Sequence, residues 1–241
     1  MKANWSYIKM GLLLGLVVFL YAFSSARSGK RLVSKPNIEF IGNKNLFITH
    51  EDVSKLLIQN QQSVTNKSKE ILDLNLLETT LNANPIVEFA DVYVSVTGKL
   101  TAKVKQKTPI ARVVTDASFY VDSNGGYMPL SKNYTERVPM VTGFVNKKDL
   151  EKVYTIATKI QEDTFLKTHV VQIHQNKNST INLKLRQCNF VVKLGSLDQL
   201  DKKINNLKAF YLKATKDKAL DNYSIVNLQF GNQVVWNKTL Q

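Results

Sequence analysis

Cysteine occurs once in the 241 residues, at Cys188, so no disulfide can form within the chain whatever the redox state around it. A disulfide-stapled scaffold is excluded, and stability has to come from packing. Cys188 lies in the strand-like run 185–194, where a lone thiol acts as an inert small hydrophobe. Arginine is scarce as well: of 33 basic residues only five are arginines, Arg27, Arg31, Arg112, Arg137 and Arg186. Readers of base edges and phosphates favour the planar, bidentate guanidinium. The formal net charge of +14 therefore reads as a lysine coat that favours solubility and attraction to anionic lipid or wall polymer, with no nucleic acid as partner. A Gly-rich phosphate loop, His-Glu-x-x-His and Gly-x-Ser-x-Gly are all missing. His50, His169 and His174 form no metal or nucleophile pattern, and Asp122 in its Ser-Asn-Gly-Gly context is a turn residue. The reading is of a protein that is not an enzyme, with no cofactor, no metal and no small-molecule substrate. Hydrophobic residues at 44% and charged residues at 22% exclude a disordered chain and a polytopic membrane protein, and the length suits two modest domains.

Residues 10–23 carry no charge, and the stretch extends from Trp5 to Ala26 if Lys9 directs its ammonium outward. That approaches the ~20 residues of a spanning helix. Trp5, Tyr7 and Tyr21 sit near its ends, where amphipathic rings meet the headgroups. The assignment is a cytoplasmic tail over 1–9 and a transmembrane helix over 10–26. A cleavable signal with Lys2, Lys9 and a Ser24-Ser25-Ala26 site is the competing reading, and either one carries the rest across the membrane. Arg27, Lys30, Arg31 and Lys35 outnumber the lysines before the helix, which by the positive-inside rule alone would keep that side in the cytoplasm.

Beyond Pro36, Ile38 to Gly42 alternates and stops at a turn pair with Asn43, reading as a strand. Thr49 with Asp52 is a capping-box-like start to a helix carrying Val53, Leu56 and Leu57. Ile71, Leu74, Leu77 and Leu81 recur at helical spacing until Asn84-Pro85. Residues 86–96 and 100–106 are β-rich runs joined at Thr97-Gly98-Lys99. The order β-α-α-β-β resembles a POTRA domain, a module that packs two helices on a three-stranded sheet and docks polypeptides. After Lys107-Thr108-Pro109, strands are expected at 110–114, 119–121 and 127–130, with a turn at 122–126. A helix follows with Leu150, Val153, Ala157 and Ile160 on one face, then strands near 169–174, 181–185 and 188–194. A long amphipathic helix carries Leu197, Leu200, Ile204, Leu207, Tyr211 and Ala214, and a terminal pair of strands covers 223–230 and 233–236. The fold class is α+β with a largely antiparallel sheet in the second half.

These pieces resemble the FtsQ/DivIB family, as a divergent member. Its pattern of a proline-containing start, an aromatic-Val-Asp-x-x-Gly turn, a Pro-x-x-x-Gly stretch and an aromatic-rich terminal hairpin is met by four segments. They are Lys107-Thr108-Pro109-Ile110-Ala111, Tyr120-Val121-Asp122-Ser123-Asn124-Gly125, Pro139-Met140-Val141-Thr142-Gly143, and residues 223–230. A lysine stands where the first motif often has arginine. The resemblance implies a POTRA domain at 36–107 that serves recruitment and an FtsQ-type β domain at 108–241. It implies a non-catalytic septum-assembly factor in the inner membrane, single-pass with its bulk periplasmic, that binds FtsB and FtsL, small coiled-coil division proteins. That orientation is preferred to the local charge count. Other classes remain in view: a different POTRA-bearing periplasmic assembly or transport protein, and a wall-modifying enzyme.

Gly231-Asn232 between two alternating runs signals a two-residue hairpin. Such a loop pairs Phe230 with Gln233, Gln229 with Val234, Leu228 with Val235 and Asn227 with Trp236. Val226, Leu228, Phe230 and Val235 then form the core face, while Asn227, Gln229, Val234 and Trp236 form a polar face carrying one indole. The last strand is expected at a sheet edge, where a partner segment can add as a further strand. The candidate partner-binding residues are Gln229, Phe230, Gln233, Val234, Val235, Trp236 and Lys238. The alternative for Trp236 is that the chain's own helix over 197–214 covers it.

Overall fold

A computed structural model describes residues 5–29, 36–42, 45–59, 72–115, 117–230 and 233–238. The chain divides into two compact units, Met1–Gln106 and Lys107–Gln241.

Helix α1 (Trp5–Gly29) is apolar on every side, and its stretch Tyr7–Ser25 has a mean hydropathy of 1.9 with none of it buried inside the protein. It is long and apolar enough to cross a membrane. Lys9 Nζ stands 5.3 Å over the Trp5 ring, so this cation leans on the indole near the end of the helix.

The rest of the first unit runs β1 (Asn37–Ile41), α2 (His50–Gln59), α3 (Leu74–Asn82), β2 (Val87–Val94) and β3 (Leu100–Gln106), which is the expected β-α-α-β-β order. The sheet order is β1-β3-β2, with β1 parallel and β2 antiparallel to β3. Helix α2 starts where the sequence signals it. Thr49 N–H donates to Asp52 Oδ2 at 3.0 Å, and Asp52 N–H donates back to Thr49 Oγ1 at 3.2 Å. Asp73 caps α3 through the Leu76 N–H, whereas Ile71 and Asn43 lie outside the described residues. Val53, Leu57, Leu77 and Leu81 close onto Ala90, Val92, Ala102 and Val104 to make the core.

In the second unit β4 (Pro109–Val113), β5 (Phe119–Asp122), β6 (Tyr127–Pro129) and β7 (Met140–Gly143) precede α4 (Glu151–Glu162) and α5 (Thr164–His169). Then come β8 (Val170–Gln175), β9 (Ile181–Leu185), β10 (Val191–Gly195), α6 (Leu200–Lys216), β11 (Tyr223–Asn227) and β12 (Val235–Lys238). These strands form one sheet in the order β12-β11-β10-β9-β8-β7-β4-β5-β6. Its junctions β4/β7, β7/β8 and β10/β11 are parallel and the rest antiparallel. The α4 face of Leu150, Val153, Ala157 and Ile160 is buried as its spacing requires.

A row of register-matched side chains crosses this sheet: Phe119, Val113, Val141, Ile173, Leu183, Val192, Val226 and finally Trp236. Paired residues share a face, so these eight lie on one side of the sheet, and the first seven are at most 5% exposed. Residues of α4 and α6, among them Val153, Ile156, Ile204 and Leu207, pack into the same cluster.

Two elements depart from expectation. Helix α5 occupies residues assigned to a loop and to the start of a strand; Asp163 accepts the N–H groups of Phe165 and Leu166 and so nucleates one short turn pair. The Pro139 to Gly143 stretch is itself a strand, inserted between β4 and β8. Cys188 lies between β9 and β10 and not within a strand. It is buried there, and burial, with the charge of Asp221 adding to it, pushes its thiol pKa up.

Candidate partner-docking edge

A nine-stranded sheet has two edges, and they are built differently. At one end β6 is only three residues long, and Pro129 has no N–H to offer. The Tyr127 carbonyl accepts Lys107 Nζ at 3.1 Å, and the same ammonium pairs with Asp122 Oδ2 at 3.0 Å. Asp122, 2% exposed, also accepts the N–H groups of Asn124 and Gly126 at 2.9 and 2.8 Å. A Cβ at position 126 would stand 2.9 Å from Asp122 Oδ2, so the turn needs its glycine. This edge is closed by its own turn.

At the other end β12 pairs only with β11 among the described residues. The register is Asn227 to Val235, Val226 to Trp236 and Ile225 to Asn237, one residue away from the expected one. The slip has a local cause. Leu228 N–H donates to Lys193 O at 2.9 Å, and Gln229 N–H turns back onto Asn227 Oδ1 at 2.9 Å, which ends β11 at Asn227. Gln229 and Phe230 therefore belong to the connection, where Gln233 N–H donates to Phe230 O at 3.3 Å. The expected Gly231-Asn232 turn lies outside the described residues.

A one-residue slip exchanges the faces of a strand. Trp236 stands opposite Val226 on the helix-covered face, and Val235 opposite Asn227 on the other, the reverse of the expected arrangement. Phe230 is not core but 49% exposed, while Val226 and Leu228 are buried as expected. The Trp236 ring lies 6.3 Å from Phe210 on α6 and 6.3 Å from Tyr223, and those two rings are 5.0 Å apart. So the helix does support the indole, as in the alternative reading, yet 49% of the residue remains exposed. With Val234, Asn206 and Lys213 the three rings line an open groove of about 280 Å³.

Backbone direction follows from the same contacts. Leu228 N–H points to β10, so by alternation Asn227 and Ile225 turn to β12, and Val235 and Asn237 turn to β11. The N–H and C=O of Trp236 therefore face away from the sheet. Gln233 is exposed, Lys238 is the exposed last residue of β12, and Val234 is half-buried against the core. Phe210, Tyr223 and Lys213 were not among the sequence candidates. Phe210 adjoins the core position Tyr211 on α6, and an aromatic flanking a buried stripe was the signal to follow. Among the described residues no three His, Cys, Asp or Glu side chains gather to hold a metal.

A family model described as FtsQ/DivIB, C-terminal related, matches residues 108–236, and a POTRA-like domain model matches residues 38–105. A cell division protein DivIB of Clostridium tetani (strain Massachusetts / E88) is 24% identical over 210 residues, covering 78% of this chain and 76% of the relative. The chain belongs to the FtsQ/DivIB family. It is a divergent member of this class of cell-division proteins, and one apolar N-terminal helix among the described residues fits a single-pass membrane protein.

The FtsQ/DivIB-like motifs now have physical explanations in this chain. Lys107 of the first motif and Asp122 of the second are one ion pair, which locks the start of β4 to the β5–β6 turn. Ser123 N–H donates to Thr108 O at 2.8 Å and repeats that lock in the backbone. Gly143 closes the third motif at φ +93°, with its hypothetical Cβ 2.1 Å from Gln175 O, so no side chain fits. The fourth motif is β11 with its exit turn.

Proposed function

We propose that this FtsQ/DivIB member is a non-catalytic divisome scaffold that links early and late division proteins at the septum. In this reading β12 receives a segment of an FtsB- or FtsL-type coiled-coil partner as an added strand. One observation carries it: the apolar row across the sheet ends at Trp236, half exposed, on a strand whose outer backbone groups face outward. An added strand pairs with those groups, continues the row by one residue, and covers the indole in the groove against Phe210 and Tyr223. The opposite edge offers nothing comparable, because Lys107 and Pro129 close it.

The proposal assigns 1–9 to the cytoplasm, 10–26 to the inner membrane, 36–107 to a recruiting POTRA domain and 108–241 to a periplasmic β domain. Trp236, Val234 and Val235 grip the partner's side chains, and Gln229, Phe230, Gln233 and Lys238 border the added strand. Trp236→Ala in the full chain is expected to weaken binding of the periplasmic segment of the FtsB-type partner at least tenfold, about 1.4 kcal/mol, with the fold intact. Unchanged affinity would reject the docking mechanism. A fluorescent fusion spread evenly around the envelope, instead of concentrated at midcell, would reject the septal role.

A further inference from the structure

The three-stranded sheet of the first unit also has an edge at β2, and this one is occupied by side chains. Ala90 N–H donates to Asn82 Oδ1 at 2.8 Å, and Asn82 Nδ2 donates to Ala90 O at 3.1 Å. One carboxamide thus makes the donor and acceptor pair that a residue of a neighbouring strand would make. Two residues along, Val92 N–H donates to Glu78 Oε2 at 3.4 Å. The spacing is matched: four residues of helix rise about 6 Å, and two residues of strand advance about 6.7 Å. Glu78 and Asn82, one turn apart on α3, therefore reach alternate outward-facing groups of β2, running antiparallel to it. Ala90 is fully buried and Val92 is 5% exposed, so their backbone groups need these partners in place of water. The turn from α3 to β2 holds the pairing, with Ile86 N–H on Asn84 Oδ1 at 3.0 Å and Val87 N–H on Asn84 O at 2.9 Å.

We infer that Asn82, seconded by Glu78, is a specificity-determining residue that closes the β2 edge to strand addition, including addition of the β2 of a second copy of this chain. The neighbouring surface makes the closure necessary. Phe89 is 51% and Tyr93 37% exposed on the helix-free face of β2, flanking Asp91, so an open β2 would present an apolar, pairable strand. Docking through the POTRA-like domain then has to use another surface. This holds whether or not β12 is the partner site.

Pairing between two copies is the readout. Ala90 and Val92 face outward, so Asp91 would stand opposite its own copy at a closely spaced, non-hydrogen-bonded position in an antiparallel β2 pair, within reach of a disulfide. The native Cys188 is buried and supplies little background. The full chain in detergent micelles is oxidised as D91C and as D91C with Asn82→Ala, with circular dichroism confirming the fold. D91C alone is expected to remain monomeric on a non-reducing gel, and the double variant to form at least tenfold more covalent dimer. Equal dimer in the two, whether abundant or absent, would overturn the inference. If Asn82→Ala does not fold, Asn82→Asp retains the acceptor for Ala90 N–H and loses the donor to its carbonyl, and the same comparison decides. Adding Trp236→Ala is expected to leave the result unchanged, which separates this edge from β12.

Discussion

Asp163 shows how one side chain serves two elements. It caps α5 through the N–H groups of Phe165 and Leu166 at 3.0 and 3.1 Å, and it pairs with Lys208 of α6 at 2.5 Å. Burial works to raise its pKa, but the Lys208 bond and the two backbone N–H groups outweigh it and hold the carboxyl below its ordinary 3.8. A depressed value means stability that is present above the ordinary carboxylate range and lost as pH falls through the folded value. Asp163→Asn is expected to cost about 1 kcal/mol in urea melts at pH 7, with the gap to the parent chain narrowing below about pH 3.8. A gap that does not narrow in acid would show that the charge is not what matters. Lys107 is the other such residue. Lys107→Met leaves Asp122 buried without its cation and is expected to cost about 3 kcal/mol, read by urea unfolding, whereas Lys107→Arg keeps most of it. The sequence marked Asp122 as a turn residue, which is half of its role, but its ion pair spans 15 positions and no local pattern announces it.

At the scale of elements, what could be read was what local chemistry decides. The reciprocal Thr49 and Asp52 bonds were visible as a spacing, and Thr49→Ala is expected to cost about 1 kcal/mol through loss of the cap, measured by the same melts. Helix α5, with six residues, is too short to show a period. Strand β7, with four, is identified by lying between two parallel neighbours and not by its own pattern. The terminal register was misread because a contact distant in sequence decides it. Lys193 on β10 holds Leu228, the chain turns early at Asn227, and every side chain of β12 changes face. Trp236, singled out in the sequence as a candidate anchor, lies on the other side of its strand from the expected one. On the helix side its ring meets Phe210 and Tyr223, in a groove that Asn206 and Lys213 also line.

For the whole molecule, the β-α-α-β-β order of the first unit was legible because each element is contiguous and its hydrophobic period is clear. The strand order of the second unit was not, since β7 inserting beside β4 and β11 lying parallel to β10 are long crossovers that turn signals do not encode. That order is what makes β12 an edge and sets Trp236 at the end of a row of buried side chains. The edges differ accordingly: β6 and β2 are shut by side chains, whereas among the described residues β12 pairs on one side only. The most direct measurement is amide hydrogen exchange at Trp236 in the full chain, with and without the periplasmic segment of the FtsB-type partner. Exchange at that one N–H is expected to slow at least a hundredfold on binding. Binding that leaves it unchanged would contradict strand addition at β12.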